Sequence, residues 1–240
     1  MSVKHHYDSH LGNFYSWMAG DFAAQQQAQQ AIFKQFKIKP PKNNIAVDLG
    51  CGHGLHAVSL ANLGFSVVAI DFNKQLLQEL KSNKGGLDID VIEDDFTKFK
   101  TRILTAGLAV CMGDTIAHLP SVEVLLQFFK DVYERLEKRG KFIVSYRDYG
   151  VALTDEQRFI PVRSDENQIH TCFLEYFADR VRVTDILHQK DGKGWKQSAS
   201  SYYKLRLDRA LVDELLEKAG FTIDTTENIN RMWYCVAKKG

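Results

Sequence analysis

Several things are scarce in this chain of 240 residues, and each scarcity removes a class of protein. No apolar run approaches the roughly 20 residues that a membrane-spanning helix needs. The opening stretch, Met1-Ser2-Val3-Lys4-His5-His6-Tyr7-Asp8, has no apolar core, so no signal peptide is expected. Neither sign of charge is in excess. Lys+Arg number 31 against Asp+Glu 30, a formal net charge of +1, which gives no overall pull toward nucleic acid or an anionic membrane. The four cysteines, Cys51, Cys111, Cys172 and Cys235, form no Cys-x-x-Cys pair; Cys51, Cys111 and Cys235 sit in apolar contexts and read as reduced, buried thiols of a cytoplasmic protein. Histidine offers little to a metal. His5-His6 with His10 lies in a terminus expected to be mobile, and His53 with His56 has no carboxylate or cysteine at ligand spacing, so no metal is expected.

What is present begins at Ile45-Ala46-Val47-Asp48-Leu49-Gly50-Cys51-Gly52-His53-Gly54. An apolar run enters a glycine-rich turn, and the amphipathic stretch Leu55–Ala61 leaves it. A second apolar run, Val67-Val68-Ala69-Ile70, stops on Asp71. This is a strand–turn–helix–strand unit with a carboxylate on the rim of the sheet, an arrangement that suits an adenosine-type cofactor: glycines let backbone approach the ligand, and the acid takes ribose hydroxyls. The dinucleotide fingerprint fits poorly, because Gly50, Gly52 and Gly54 hold its first, third and fifth positions while Leu55 holds the sixth. A triphosphate loop lacks its Gly-Lys-Ser/Thr tail. Asp48 would repel a diphosphate but suits a ligand carrying an ammonium and a sulfonium.

The length allows one domain with an appended subdomain. One or two helices are predicted over residues 11–37, ended by Pro40-Pro41. Parallel strands are predicted near 45–49, 66–71, 88–92, 107–112 and 141–146, with a helix over 121–138 capped by Gly140. The alternation then gives way to a three-stranded antiparallel meander over 170–206, followed by a helix near 208–219 and a closing hairpin. The fold class is therefore α/β: a doubly wound, mostly parallel seven-stranded sheet with an antiparallel last strand. Its parts are a helical lid (1–40), a cofactor-binding core (41–150), an inserted antiparallel substrate cover (151–206) and a C-terminal helix and hairpin (207–240).

Val47-Asp48-Leu49-Gly50-Cys51-Gly52-His53-Gly54 resembles the first motif of class I S-adenosylmethionine-dependent methyltransferases, and the likeness extends along nearly the whole chain. It implies that Gly50, Cys51 and Gly52 lie under the methionine part of the cofactor and that Asp71, followed by Phe72, holds the ribose. It implies that Asp95 accepts from the adenine amino group while Phe96 offers its backbone N–H. Cys111-Met112-Gly113-Asp114-Thr115-Ile116-Ala117-His118-Leu119 resembles a segment of the glycine N-methyltransferase branch, placing Met112 and Gly113 beside the cofactor. The branch has Asn where this chain has Asp114, which suits a substrate amine or hydroxyl; His118 is a candidate proton acceptor. Arg147 matches the branch's carboxylate-binding Arg and is expected to face Asp114 across the methyl group. Tyr15 and Tyr7 are the expected aromatic lid over the sulfonium, and the cofactor-carboxylate Arg of the relatives is replaced by Gln25.

The resemblance implies methyl transfer from S-adenosylmethionine to a small-molecule acceptor through N, O or S, by a monomer or homodimer, with no nucleic acid or membrane as partner. Nucleic-acid amino methylation is disfavoured by the lack of an Asn/Asp-Pro-Pro-Tyr/Phe segment. The alternatives are a non-catalytic S-adenosylmethionine-binding protein and, disfavoured by Leu55 and Asp48, a nicotinamide dehydrogenase.

Overall fold

Adjacent side chains along each central strand go to opposite cores, and those two apart share one. In the computed structural model, which describes residues 2–240, three helices come first: α1 (Val3–Ser9), α2 (Tyr15–Ala19) and α3 (Phe22–Gln35). The parallel sheet follows as β1 (Ile45–Leu49), α4 (Leu55–Ala61), β2 (Ser66–Asp71), α5 (Lys74–Asn83), β3 (Ile89–Glu93), β4 (Ala106–Cys111), α6 (Val122–Arg135) and β5 (Leu136–Tyr146). Along β4, Leu108 and Val110 pack under α3 and α4, whereas Ala109 and Cys111 pack under α6; Phe142, Ile143 and Val144 of β5 divide in the same way. That period of two, with both faces buried, explains why β4 reads as an unbroken apolar run.

The sheet closes with α7 (Arg209–Lys218), β10 (Thr222–Ile229) and β11 (Met232–Lys238), in the order β10-β11-β5-β4-β1-β2-β3, and β11 is antiparallel to both neighbours. Strand order reverses between β1 and β4, so their carboxyl ends open a crevice there. Between β5 and α7 lies a second, antiparallel sheet of β6 (Phe159–Ser164), β7 (Gln168–Tyr176), β8 (Arg180–Asp191) and β9 (Gly194–Leu205). No helix among the described residues is long and apolar enough to cross a membrane.

Three expectations change. The meander has four strands, not three: β6 is an edge strand carrying Pro161, whose missing N–H is tolerated only at an edge. Helix α6 stops at Arg135 rather than 138. The backbone turns at Arg139, at φ 64, because its N–H donates to Lys239 O while Lys239 N–H donates to Gly140 O; the C-terminal strand captures this segment. The N-terminus is packed on the second sheet. Ser2 caps α1, and His6 is fully buried against the meander.

Candidate active site

The glycine turn between β1 and α4 is a packed structure as much as a flexible one. Gly54 (φ 93) has Leu80 Cδ1 2.1 Å from where a Cβ would stand, so a side chain is excluded there by packing and by backbone. At Gly52 (φ 52) the nearest atoms, Leu76 Cδ1 and Tyr15 Oη, are 4.0 Å away, so the turn is bare backbone facing open space. Gly52 N–H donates to Asp71 Oδ2 at 2.9 Å, and Asn73 N–H donates to Asp71 Oδ1 at 2.8 Å. The rim acid thereby pins the turn to the start of α5, which Asn73 itself caps. Each oxygen keeps acceptor capacity toward the cavity, since a carboxylate offers about four acceptor sites. Burial raises the Asp71 pKa, and the backbone donors partly offset this.

The cavity at this point has a volume of about 230 Å³. It brings together Tyr7, Tyr15, Gly50, Cys51, Gly52, Asp71, Phe72, Phe96, Met112, Gly113 and His118, all foreseen from the sequence. It also takes in Gln25, Gln29, His53, His56, Thr115 and Tyr234. Asp48 is not in the lining. It is fully buried beneath the turn, where burial and the charge of Asp71 push its pKa up to about 8, against a backbone contribution from Ala57. The direct charge complement expected of Asp48 is therefore absent. Asp95 also lies outside the lining: it is exposed and caps the 3-10 turn Phe96–Thr101, accepting from Thr97 N at 2.9 Å and Thr97 Oγ1 at 2.7 Å.

The roof is the N-terminal segment. Tyr7 meets Phe72 edge-on at 5.8 Å and His118 at 5.7 Å, and Tyr15 meets His53 at 5.2 Å. Asn73 Nδ2 donates to Asp8 Oδ1 at 3.0 Å and Gln75 Nε2 to Gly12 O at 2.9 Å, tying the roof to α5.

The pair foreseen for the acceptor is arranged differently. Asp114, at φ 71, is buried beside β5, where its Oδ1 accepts from Arg147 N at 3.0 Å and its Oδ2 from Tyr149 Oη at 2.7 Å and Lys204 Nζ at 2.6 Å. Burial opposes its ionisation, but the Lys204 charge and these donors hold the carboxyl below its usual range. Arg147 contributes its backbone N–H, not its guanidinium, which is exposed and outside the cavity. The cation opposite Asp114 is Lys204, ninety residues away on β9. Sequence spacing carried no sign of it, because antiparallel pairing within the insertion brings it in. Both acceptor contacts therefore change: Asp114 is held by three donors of this chain, and the Arg147 side chain is not in the cavity lining. His118 does line the cavity. Burial and the Lys204 charge push its pKa down to about 3, so the ring is neutral near pH 7, and its Nδ1 is buried without a partner among the described residues.

These residues fit S-adenosylmethionine. Gln29 Nε2 is a buried donor with no partner among the described residues, on the cavity wall where a carboxylate needs one. Asp71 offers acceptors to a ribose, the face of Gly52 is open, and Tyr7 and Tyr15 supply aromatic surface for a sulfonium.

Residues 46–140 match the family described as "Methyltransferase domain". The chain is 31% identical over 125 residues to a ubiquinone biosynthesis O-methyltransferase of Pelagibacter ubique, a match spanning 49% of each chain, so about half the length of that relative. It is 25% identical over 198 residues to a glycine/sarcosine N-methyltransferase of Aphanothece halophytica, covering 80% of this chain and 72% of that one. Among solved structures, it superposes on CalS10, an amino pentose methyltransferase of Micromonospora echinaspora solved with S-adenosylmethionine bound, at TM-score 0.76 and 15% identity over 93% of this chain and 94% of that one. The family match, these relatives and the sheet order converge. Residues 46–140 are similar to a methyltransferase domain, and the sheet order is that of the class I S-adenosylmethionine-dependent methyltransferase fold.

Proposed function

We propose that the chain methylates an amine nitrogen of a small molecule, using S-adenosylmethionine. The cofactor, when bound, supplies a methyl group on a positively charged sulfur, ready for displacement. The chain's residues then have to bind, orient and exclude water. Asp71 holds the ribose, Phe72 and Phe96 flank the adenine side, the Gly50–Gly52 backbone underlies the methionine portion, and Gln29 with Gln25 meets its carboxylate. The 1–40 segment is the roof, 41–150 the cofactor core, 151–206 the cover that delivers Lys204, and 207–240 the edge that completes the sheet.

The observation that carries the choice of nitrogen is that burial lowers the basicity of every histidine in the cavity lining, His53, His56 and His118. His118 and His56 are pushed down to about 3, and burial pushes Tyr15 up to about 12. Asp71, the one carboxylate in the lining, accepts from the turn and turns its remaining acceptor capacity to the ribose. A neutral amine attacks with its lone pair before losing a proton, which then leaves to water, so it needs no base; a phenol or alcohol does. Neutral His118 accepts from an N–H of the acceptor and aims that lone pair. Asp114, fixed by Lys204 and Tyr149, is a positioning residue that holds the loop bearing His118.

The test is a panel of small amines, carboxylates, phenols and thiols with methyl-deuterated cofactor and mass detection. An N-methyl product is expected. Products on oxygen or sulfur alone would sink the choice of nitrogen, and tight cofactor binding with no product from any acceptor would favour a binding protein.

A further inference from the structure

Away from the cavity, a second polar cluster forms where α1 meets the meander. His170 Nε2 lies 2.8 Å from Asp185 Oδ1, and Cys172 Sγ lies 2.8 Å from the same oxygen and 3.7 Å from His170 Nε2. The register explains the meeting: Cys172 is directly opposite Asp185 in the β7–β8 pair, and His170 is two residues back on the same face. On the other carboxylate oxygen, His6 Nε2 stands at 2.9 Å, and His6 Nδ1 is 2.8 Å from Ser200 Oγ. Phe14 packs edge-on against His170 at 5.0 Å, and Leu11 and Leu187 complete an apolar surround.

We propose that His170, Cys172 and Asp185 form a binding site for a divalent transition ion of the zinc type, with His6 orienting the Asp185 carboxylate. The donor chemistry selects the ion. One imidazole nitrogen, one sulfur and one carboxylate oxygen suit a borderline-soft ion, and an imidazole with a sulfur is wrong for calcium or magnesium. The charges balance, because a thiolate and a carboxylate neutralise a dication and leave a buried site without net charge. Cys172 gives its proton to solvent as the ion enters. Asp185 is buried, and no lysine or arginine is bonded to it among the described residues.

The distances are within reach. Metal–ligand bonds of about 2.0–2.3 Å at tetrahedral angles separate donors by roughly 3.3–3.7 Å. The sulfur–nitrogen distance of 3.7 Å already meets this, and the two contacts to Oδ1 at 2.8 Å need to widen by less than about 1 Å. His6, held by Ser200 on its far nitrogen, is the outer partner that a ligating carboxylate usually has. His10, the residue after α1, stands 5.7 Å ring to ring from His6, and its Nε2 is buried without a partner among the described residues. Tyr7, which follows His6, lines the cavity, so an ion here would fix the roof in place.

The full chain, stripped with a chelator, is titrated with Co²⁺. A single tight equivalent is expected, with the near-ultraviolet charge-transfer absorption of a thiolate–cobalt bond and displacement by Zn²⁺. Cys172→Ser, its fold checked by circular dichroism, should lose that absorption, and His170→Gln should weaken binding by about tenfold or more. No charge-transfer absorption in the parent, or the same absorption in Cys172→Ser, overturns the site and leaves a hydrogen-bonded brace. Neither readout uses methyl transfer, so the result stands apart from the proposed activity.

Discussion

Lys204 Nζ stands 2.6 Å from Asp114 Oδ2, joining the second sheet to the loop after β4. The lysine side chain is 11% exposed and the acid 3%, so neither charge has water to fall back on. Truncating one partner of a buried pair leaves an uncompensated charge, which costs about 3–5 kcal/mol. Lys204→Met should lose stability on that scale in denaturant unfolding. Adding Asp114→Asn to it should recover part of the loss, a non-additivity that a surface pair would not show.

Asp71 has two duties, pinning the turn and presenting acceptors. Asp71→Asn keeps the size and one acceptor oxygen but loses the charge. Cofactor affinity should fall by about 1.5–3 kcal/mol, read by calorimetry, with a smaller change in melting temperature. Unchanged affinity would remove Asp71 from the cofactor site.

Removal of residues 1–21 tests the roof. The cut spares α3, whose Phe33 belongs to the core beneath the sheet. The shortened chain should keep its far-ultraviolet circular dichroism and bind S-adenosylmethionine at least about tenfold more weakly, the aromatic surface over the sulfonium being gone. Full binding by this chain would mean the segment is no lid.

His118 makes stability depend on pH in a defined direction. Its folded pKa, about 3, lies below the ordinary 6.5, so between those values the unfolded chain binds the extra proton. Its contribution is complete above about pH 6.5 and is lost as pH falls toward 3. The slope is at most about 1.4 kcal/mol per pH unit, and less because the ring opens to the cavity. His118→Gln should flatten the acid limb of the stability curve relative to the parent.

Arg147 separates this arrangement from the one its sequence position suggests. With an exposed guanidinium outside the lining, Arg147→Lys should change stability by less than about 0.5 kcal/mol and leave the KM for the acceptor unaltered. A raised KM would return it to the acceptor site.

The cofactor half of the cavity was legible because its signals are local. Glycines at fixed spacing and an acid at the end of the next strand lie within one strand–turn–helix–strand unit, whose geometry follows from short-range rules. The acceptor half was not. Lys204 reaches Asp114 across ninety residues, and, outside the cavity, His6 likewise reaches Asp185 across 179. Pairings of that kind depend on how two sheets sit together, which periodicity does not encode. Strand β6 escaped notice because its edge position lets it carry proline and charge in place of an apolar alternation. Asp95 read as a ligand because an acid that caps a turn and an acid that binds a ring look alike in one dimension.

The His6–Asp185 contact also bears on the order of assembly. The roof is synthesised well before its anchors on the meander, Asp185 and Ser200. The glycine turn, Asp71 and the parallel strands can pair while the ribosome is still adding the insertion, and α1 can then reach Asn73 and Phe72, but His6 has no buried partner until β8 and β9 exist. A nascent chain halted after β5 would thus hold its roof by the α5 contacts alone, and the buried His6 anchor would date only from the moment the second sheet is complete.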